Sequence, residues 1–161
     1  MEFDKFYIKK KSWWNTGNFE IYDEENALSY TVKSNPWGLK KQMELHSVHN
    51  EVIYQIISTS FSGSVYEIHE NNRTMAHIEK PFSWSNPKFE IETLITEPFS
   101  AVGNVWGNEY KFKRGDKEFG IVSYKIWSSG DFGIAIKKGE PIPLLLCVII
   151  IIAYLKQNGL A

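Results

Sequence analysis

Leu144-Leu145-Leu146-Cys147-Val148-Ile149-Ile150-Ile151-Ile152-Ala153-Tyr154-Leu155 is an unbroken run of twelve apolar residues near the end of a 161-residue chain. How this run is read decides the fold. Pro141 and Pro143 precede it, and Lys156, Asn158 and Gly159 follow, which is the punctuation of a helix. A helix apolar on every side has no wet face, so it belongs inside a protein or inside a membrane. Twelve residues rise only about 18 Å at roughly 1.5 Å each, against about 30 Å of bilayer hydrocarbon. Extending the segment back to Ile142 does not close that gap. A buried strand is the other conformation open to an isoleucine run, and the repeat described next argues against it. The run therefore predicts a core helix over residues 142–157, with Leu144, Leu145, Leu146, Val148, Ile149, Ile150, Ile151 and Ile152 enclosed. A tail anchor is the alternative, because only a short polar segment follows.

Upstream, apolar-x-apolar cores recur at Phe19-Glu20-Ile21, Met43-Glu44-Leu45, Tyr66-Glu67-Ile68, Phe89-Glu90-Ile91, Tyr110-Lys111-Phe112 and Phe132-Gly133-Ile134. Their spacings are 24, 23, 23, 21 and 22 residues. Alternation of this kind suits a strand with one face buried and one wet. A second alternating run precedes each core: Phe6 to Lys11, Leu28 to Lys33, Val52 to Ile57, Thr74 to Glu79, Ala101 to Val105 and Phe119 to Ile126. An aromatic (Trp14, Trp37, Phe61, Trp84, Trp106, Trp127) lies in each linker before a core. Its recurrence with the fold's own period points to a structural plug before a stacking platform. Polar segments such as Asp23-Glu24-Glu25-Asn26, Glu70-Asn71-Asn72-Arg73 and Arg114-Gly115-Asp116-Lys117 read as hairpin turns. Six pairs make twelve strands, and a sheet of that size with one apolar face must cover that face or close upon itself. The expected architecture is mainly β: a closed antiparallel twelve-stranded barrel of six hairpin-like repeats around the C-terminal α-helix. A thirteenth strand has no place in it.

The bulk numbers set bounds on function. Apolar residues make up 43% and charged residues 23%, as in an ordinary globular chain, while 15% aromatics favour strands. With 18 basic and 19 acidic side chains the net charge is -1, so no overall field draws the chain to nucleic acid, and no nucleic-acid partner is expected. Cys147 is the single cysteine, which rules out an internal disulfide and suits a reducing compartment. The opening Met1-Glu2-Phe3-Asp4 carries acids where a signal peptide carries bases, so a cytoplasmic location is expected.

The serial hairpins of the form Phe19-Glu20-Ile21-Tyr22-Asp23-Glu24, the linkers Phe82-Ser83-Trp84-Ser85 and Trp37-Gly38, and the greasy terminal helix together resemble the LURP-one-related family. The resemblance spans essentially residues 1–161 as one domain. It implies the fold shared by the tubby C-terminal domain and the phospholipid scramblases, a twelve-stranded barrel around a central helix. In that superfamily tubby proteins bind phosphoinositides, scramblase relatives associate with lipid, and the small prokaryotic and plant members are mostly without an assigned activity. No phosphoinositide pocket aligns residue by residue here. The segment before the helix is Lys137-Lys138-Gly139-Glu140, which departs from the calcium-binding segment of the scramblases and argues against calcium-triggered lipid movement. One fold hosts many activities, so the likeness does not carry a function across by itself.

Glu44, His46 and His49 are the nearest approach to a metal set, with Glu44 and His46 on one outward strand face and His49 in the adjoining turn. Such donors suit zinc and define a metal-dependent enzyme as one alternative. The plain reading is a wet outer face, since a ligand set needs a third or fourth partner and His69 recurs after Glu67 in the next repeat. Cys147 reads as core filling, because burial raises a thiol's pKa and hides it. Lys9, Lys10, Lys11, Lys40, Lys41, Lys137 and Lys138 are candidate anionic-lipid contacts, several of them beside aromatics. Ordinary solubility charge is their other reading. No elbow, Walker loop or dinucleotide fingerprint is present, so no catalytic residue and no cofactor is assigned. The expectation is a monomeric, non-enzymatic binding or scaffold domain, with anionic phospholipid or a protein as candidate partner and peripheral contact with a membrane as an option.

Overall fold

The computed structural model describes residues 2–9, 18–35, 42–59, 64–80, 87–104, 108–124 and 132–157. Twelve strands come first: β1 Phe3–Lys9, β2 Phe19–Asp23, β3 Leu28–Asn35, β4 Gln42–Ser47, β5 Val52–Ser58, β6 Val65–Glu70, β7 Arg73–Glu79, β8 Lys88–Thr93, β9 Phe99–Gly103, β10 Glu109–Arg114, β11 Lys117–Ser123 and β12 Phe132–Lys137. The helix α1 follows over Ile142–Gln157. Each strand pairs antiparallel with its chain neighbours, and β12 returns to β1, so the sheet closes and leaves no edge.

The alternation read from the sequence becomes an inside and an outside. Phe19, Ile21, Met43, Leu45, Tyr66, Ile68, Phe89, Ile91, Tyr110, Phe112, Phe132 and Ile134 are all buried, whereas the central Glu20, Glu44, Glu67 and Glu90 retain solvent contact. Closure needs curvature, and four hairpins supply it in the same way. The register slips by one residue after Ile21, Leu45, Ile68 and Phe112, leaving Ser29, Ile53, Met75 and Phe119 without direct opposites. Such bulges bend a strand and increase its twist.

The turns use residues that tolerate left-handed backbone. Asn26 and Asn50 have φ of 62° in the β2–β3 and β4–β5 turns, and Asn71 and Asn72 have φ of 49° and 65° between β6 and β7. Positive φ at both central residues is the signature of a type I′ hairpin turn, and asparagine is among the residues that accept it. Lysines reinforce two of these turns: Lys9 donates to Asn26 Oδ1 at 2.6 Å, and Lys33 donates to Asn50 Oδ1 at 2.7 Å, one repeat apart.

Helix α1 occupies the barrel. Leu144 to Ile152 are 0% exposed and Ala153 is 1% exposed, so no side of the helix is wet over that length. Full burial of each isoleucine or leucine contributes about 1.5–3 kcal/mol before entropy is subtracted. Pro143 lacks an N–H, but at this position the donor would have no partner within the helix. The helix packs closest to β5. Larger rings line part of the wall, with Phe89, Tyr110, Tyr124 and Phe132 in edge or tilted contact at 5.9, 5.8 and 5.0 Å between successive centroids. Tyr124 also donates to the Ile149 carbonyl at 2.9 Å, a buried bond from barrel wall to helix.

The tail-anchor alternative is corrected here, because the apolar run is enclosed by the barrel's own side chains. Among the described residues no helix is long and apolar enough to cross a membrane.

Candidate functional site

The proposed metal set does not assemble. His46 Nε2 lies 3.4 Å from Glu44 Oε1, but His46 is only 6% exposed and neither ring nitrogen makes a hydrogen bond among the described residues. The two groups are close without the geometry of a hydrogen bond. His46 was expected on a wet face. It keeps the face of Glu44, in unbroken register with Thr31 of β3 and opposite Val52 of β5 beside the bulged Ile53, yet it is nearly covered there. His49 is exposed in the turn, where its backbone N–H donates to Ser47 Oγ at 3.2 Å. No group of three histidines, cysteines or acids fit to hold a metal occurs among the described residues. The same glutamate-histidine arrangement returns one repeat later, with His69 Nε2 3.3 Å from Glu67 Oε1, so it is a property of the repeat.

Cys147 is fully buried in α1, and burial pushes its thiol well above the ordinary range. A thiol held neutral and out of reach of solvent is a poor nucleophile.

The candidate lipid-contact lysines are divided. Lys9 closes β1, whereas Lys137 closes β12 opposite Phe3 at the other end of the same strand pair. Six residues of strand separate the two positions, roughly 20 Å at about 3.3 Å per residue. Lys9 is also engaged within the fold: besides its bond to Asn26 its ammonium lies 4.2 Å from the centre of the Tyr22 ring. Lys138 is exposed, with its ammonium 3.5 Å from Glu2. Lys10, Lys11, Lys40 and Lys41 lie outside the described residues, as do Trp14, Trp37, Phe61, Trp84, Trp106 and Trp127.

Sequence reasoning missed the strongest polar assembly. Arg114, read as part of a turn, grips Glu140 through two hydrogen bonds of 2.9 and 2.8 Å and donates to Thr96 Oγ1 at 3.1 Å. Its guanidinium also lies 4.1 Å from the Phe119 ring centre. The bidentate fork joins the β10–β11 hairpin to the residue just before Pro141, where the chain turns into the barrel. No spacing rule links positions 26 residues apart, so nothing in the sequence announced the pair.

Two shallow depressions mark the outer wall. One, about 230 Å3, is lined by Val52, Ile53, Gln55, His69, Asn71 and Asn72. The other, about 190 Å3, is lined by Asn18, Phe19, Glu20, Thr31, Val32 and Lys33. The first offers mainly polar groups to a surface ligand, whereas the second is more apolar than polar.

A closed antiparallel barrel filled by its own terminal helix is the class of fold this chain adopts. The LURP-one-related family model matches residues 4–153, and the chain belongs to that family. It is 23% identical over 156 residues to the uncharacterized protein YxjI of Bacillus subtilis (strain 168), covering 96% of this chain and 94% of the relative. A solved X-ray structure of an Arabidopsis thaliana protein superposes with a TM-score of 0.71 at 11% identity, covering 96% of this chain and 91% of the other. That likeness shows the fold.

Proposed function

We propose that this chain is a non-enzymatic binding or scaffold domain of the tubby-like class, working in the cytoplasm through the outer surface of its barrel. The observation that carries this reading is the filled interior: residues 144–152 occupy, with no solvent exposure, the space in which a hollow barrel would hold a small molecule. A binding partner therefore meets side chains of the wall, the turns or the connections.

Anionic phospholipid is the candidate ligand, and peripheral contact the mode. The support is the lysine content of the segments flanking β1 and preceding β4, where Lys9-Lys10-Lys11 and Lys40-Lys41 lie close to tryptophans in the sequence. Lys137 and Lys138 lie at the far end of the same β1–β12 pair, so they would extend such a contact along the strands. Co-sedimentation with vesicles of neutral phosphatidylcholine, with and without phosphatidylserine or phosphoinositide, tests it. Preferential binding to the anionic vesicles, weakened by Lys10→Glu with Lys11→Glu, supports lipid contact. Equal partitioning onto both kinds of vesicle removes the lipid part and leaves a protein partner.

A further inference from the structure

The net charge of -1 conceals two walls of opposite sign. The outer surface is covered by strands in the order β1-β12-β11-β10-β9-β8-β7-β6-β5-β4-β3-β2. Strands β4 to β8 carry Glu44, Glu67, Glu70, Glu79, Glu90 and Glu92, against Arg73 and Lys88 alone. Strands β10, β11, β12 and β1 carry Lys5, Lys9, Lys111, Lys113, Lys117 and Lys137 together with Arg114, against Asp4, Glu109 and Glu118. With histidines neutral, the first wall has four negatives in excess, and the second has three positives in excess once Arg114 is set against its partner Glu140. Only β9 on one side and β2–β3 on the other separate them, so the walls lie on opposite sides of the barrel.

The registers show how each charge is presented. Lys111, Ile121, Ala135 and Lys5 form one row across β10, β11, β12 and β1. Two lysines thus flank a floor of smaller apolar side chains. Beside that row a Cβ placed on Gly133 would meet nothing within 4 Å, and Tyr7, its partner across β12–β1, is 42% exposed. On the opposite wall Glu67, His77 and Glu92 form a row, and Glu79 stands directly opposite Glu90. Glu90 is already met by Lys88 at 3.2 Å and accepts from Ser100 at 2.9 Å, and Glu79 lies 3.4 Å from His77 Nε2, so a cationic surface would meet the negative excess of the whole wall and not this pair alone.

We propose that the basic wall is a docking surface for the acidic wall of a second copy of this chain. The argument is charge complementarity within one sequence: each molecule carries both halves of the contact. Because the two halves lie on opposite sides, the contact is heterologous and does not close on a pair, so association is open-ended. Four strands spaced about 4.8 Å apart and about 20 Å long present roughly 400 Å2 of flat wall, half of the ~800 Å2 per partner typical of a stable complex. The contact is accordingly weak, and it depends on ionic strength because exposed charges are screened over about 10 Å at 0.1 M salt. This departs from the monomer expected from the sequence.

Sedimentation velocity of the full chain across a concentration series tests the proposal. The sedimentation coefficient should rise with concentration at about 0.02 M salt, and the apparent association constant should fall at least about tenfold by about 0.5 M. Lys5→Glu with Lys111→Glu should abolish the rise, as should Glu79→Lys with Glu90→Lys. Mixing these two variants should restore association as far as a pair and no further, because one native acidic wall then meets one native basic wall. Lys33→Glu, an equal charge change on β3 outside both walls, should leave association within about twofold of a native chain when compared with Lys5→Glu alone. Circular dichroism melts verify that each variant folds. A native chain that stays monomeric at low salt overturns the proposal, as does association that ignores the wall substitutions or follows net charge alone. A monomeric chain that binds anionic vesicles through Lys5 and Lys111 also overturns it, and assigns the wall to a membrane.

Discussion

Raising the pH should unfold this barrel through its buried tyrosines, and the structure gives the size of the effect. Burial pushes Tyr66 and Tyr110 from an ordinary 10.0 to about 12. Tyr124 is driven up as well, by burial and then by the neighbouring Tyr110, and Cys147 is driven up by burial. A proton held more tightly in the folded chain than in the unfolded one stabilises the fold fully below the unfolded value. That stabilisation is lost as the pH climbs through the folded value. For Tyr66 and Tyr110 the loss is about 2 kcal/mol each by pH 12, or roughly 4 to 5 kcal/mol together. This is a large part of the 5–15 kcal/mol of net stability typical of a domain. Urea melts followed by circular dichroism from about pH 8 to about pH 12, with tyrosinate absorbance recorded in parallel, measure it. Stability should decline above roughly pH 9 to 10, where the unfolded thiol and phenols begin to ionise. The buried tyrosines should ionise only as the chain unfolds. Tyr66→Phe with Tyr110→Phe should flatten the decline by about the calculated amount. A stability that stays level to pH 12, or a double variant that declines as steeply as the native chain, would refute the reasoning.

Three paired comparisons test individual contacts. Tyr124→Phe removes the bond to the Ile149 carbonyl and should cost about 0.5–1.5 kcal/mol in urea melts. Tyr110→Phe should be neutral or slightly stabilising near pH 7, since its hydroxyl has no partner among the described residues; equal costs for the two would contradict this. Arg114→Ala and Glu140→Gln should each destabilise by about 2 kcal/mol, with a coupling above about 1 kcal/mol in the double-mutant cycle; simple additivity would mean that the fork contributes nothing as a pair. Gly103→Ala puts a Cβ 2.7 Å from Pro87 Cγ and 2.8 Å from Tyr110 Cε1, two rings with little room to withdraw, and should cost about 1–3 kcal/mol. Gly133→Ala, facing open space, should stay within about 0.5 kcal/mol of native in the same assay.

Much of the architecture could be read before any coordinates, because each decision was local. A strand with one wet face leaves a period of two in the sequence, and six such cores at nearly constant spacing imply one hairpin unit repeated. The helix was readable for a different reason: twelve consecutive apolar residues have no wet side, and their length is too short for a bilayer. The bounds 142–157 coincide with the observed Ile142–Gln157 because Pro141, Pro143 and the polar residues that follow are local signals. The twelve strands lie where the alternating runs do, with β1 starting three residues earlier, at Phe3.

What tertiary structure alone decided concerns positions far apart in the chain or displaced by one residue. His46 obeys the alternation, sharing the face of Glu44, and is nevertheless covered, which only the assembled wall decides. Arg114 and Glu140 become partners only when the helix enters the barrel beside the β10–β11 hairpin. The candidate lysines share a charge in the sequence, yet the antiparallel pairing of β1 with β12 carries Lys9 and Lys137 to opposite ends of one strand pair. Closure likewise adds Lys5 and Lys9 of β1 to the basic charges of β10–β12, which lie at the other end of the chain. Periodicity records which way a side chain points relative to its own strand. Which charges then share a wall is set by the order in which strands close, and that is a property of the whole barrel.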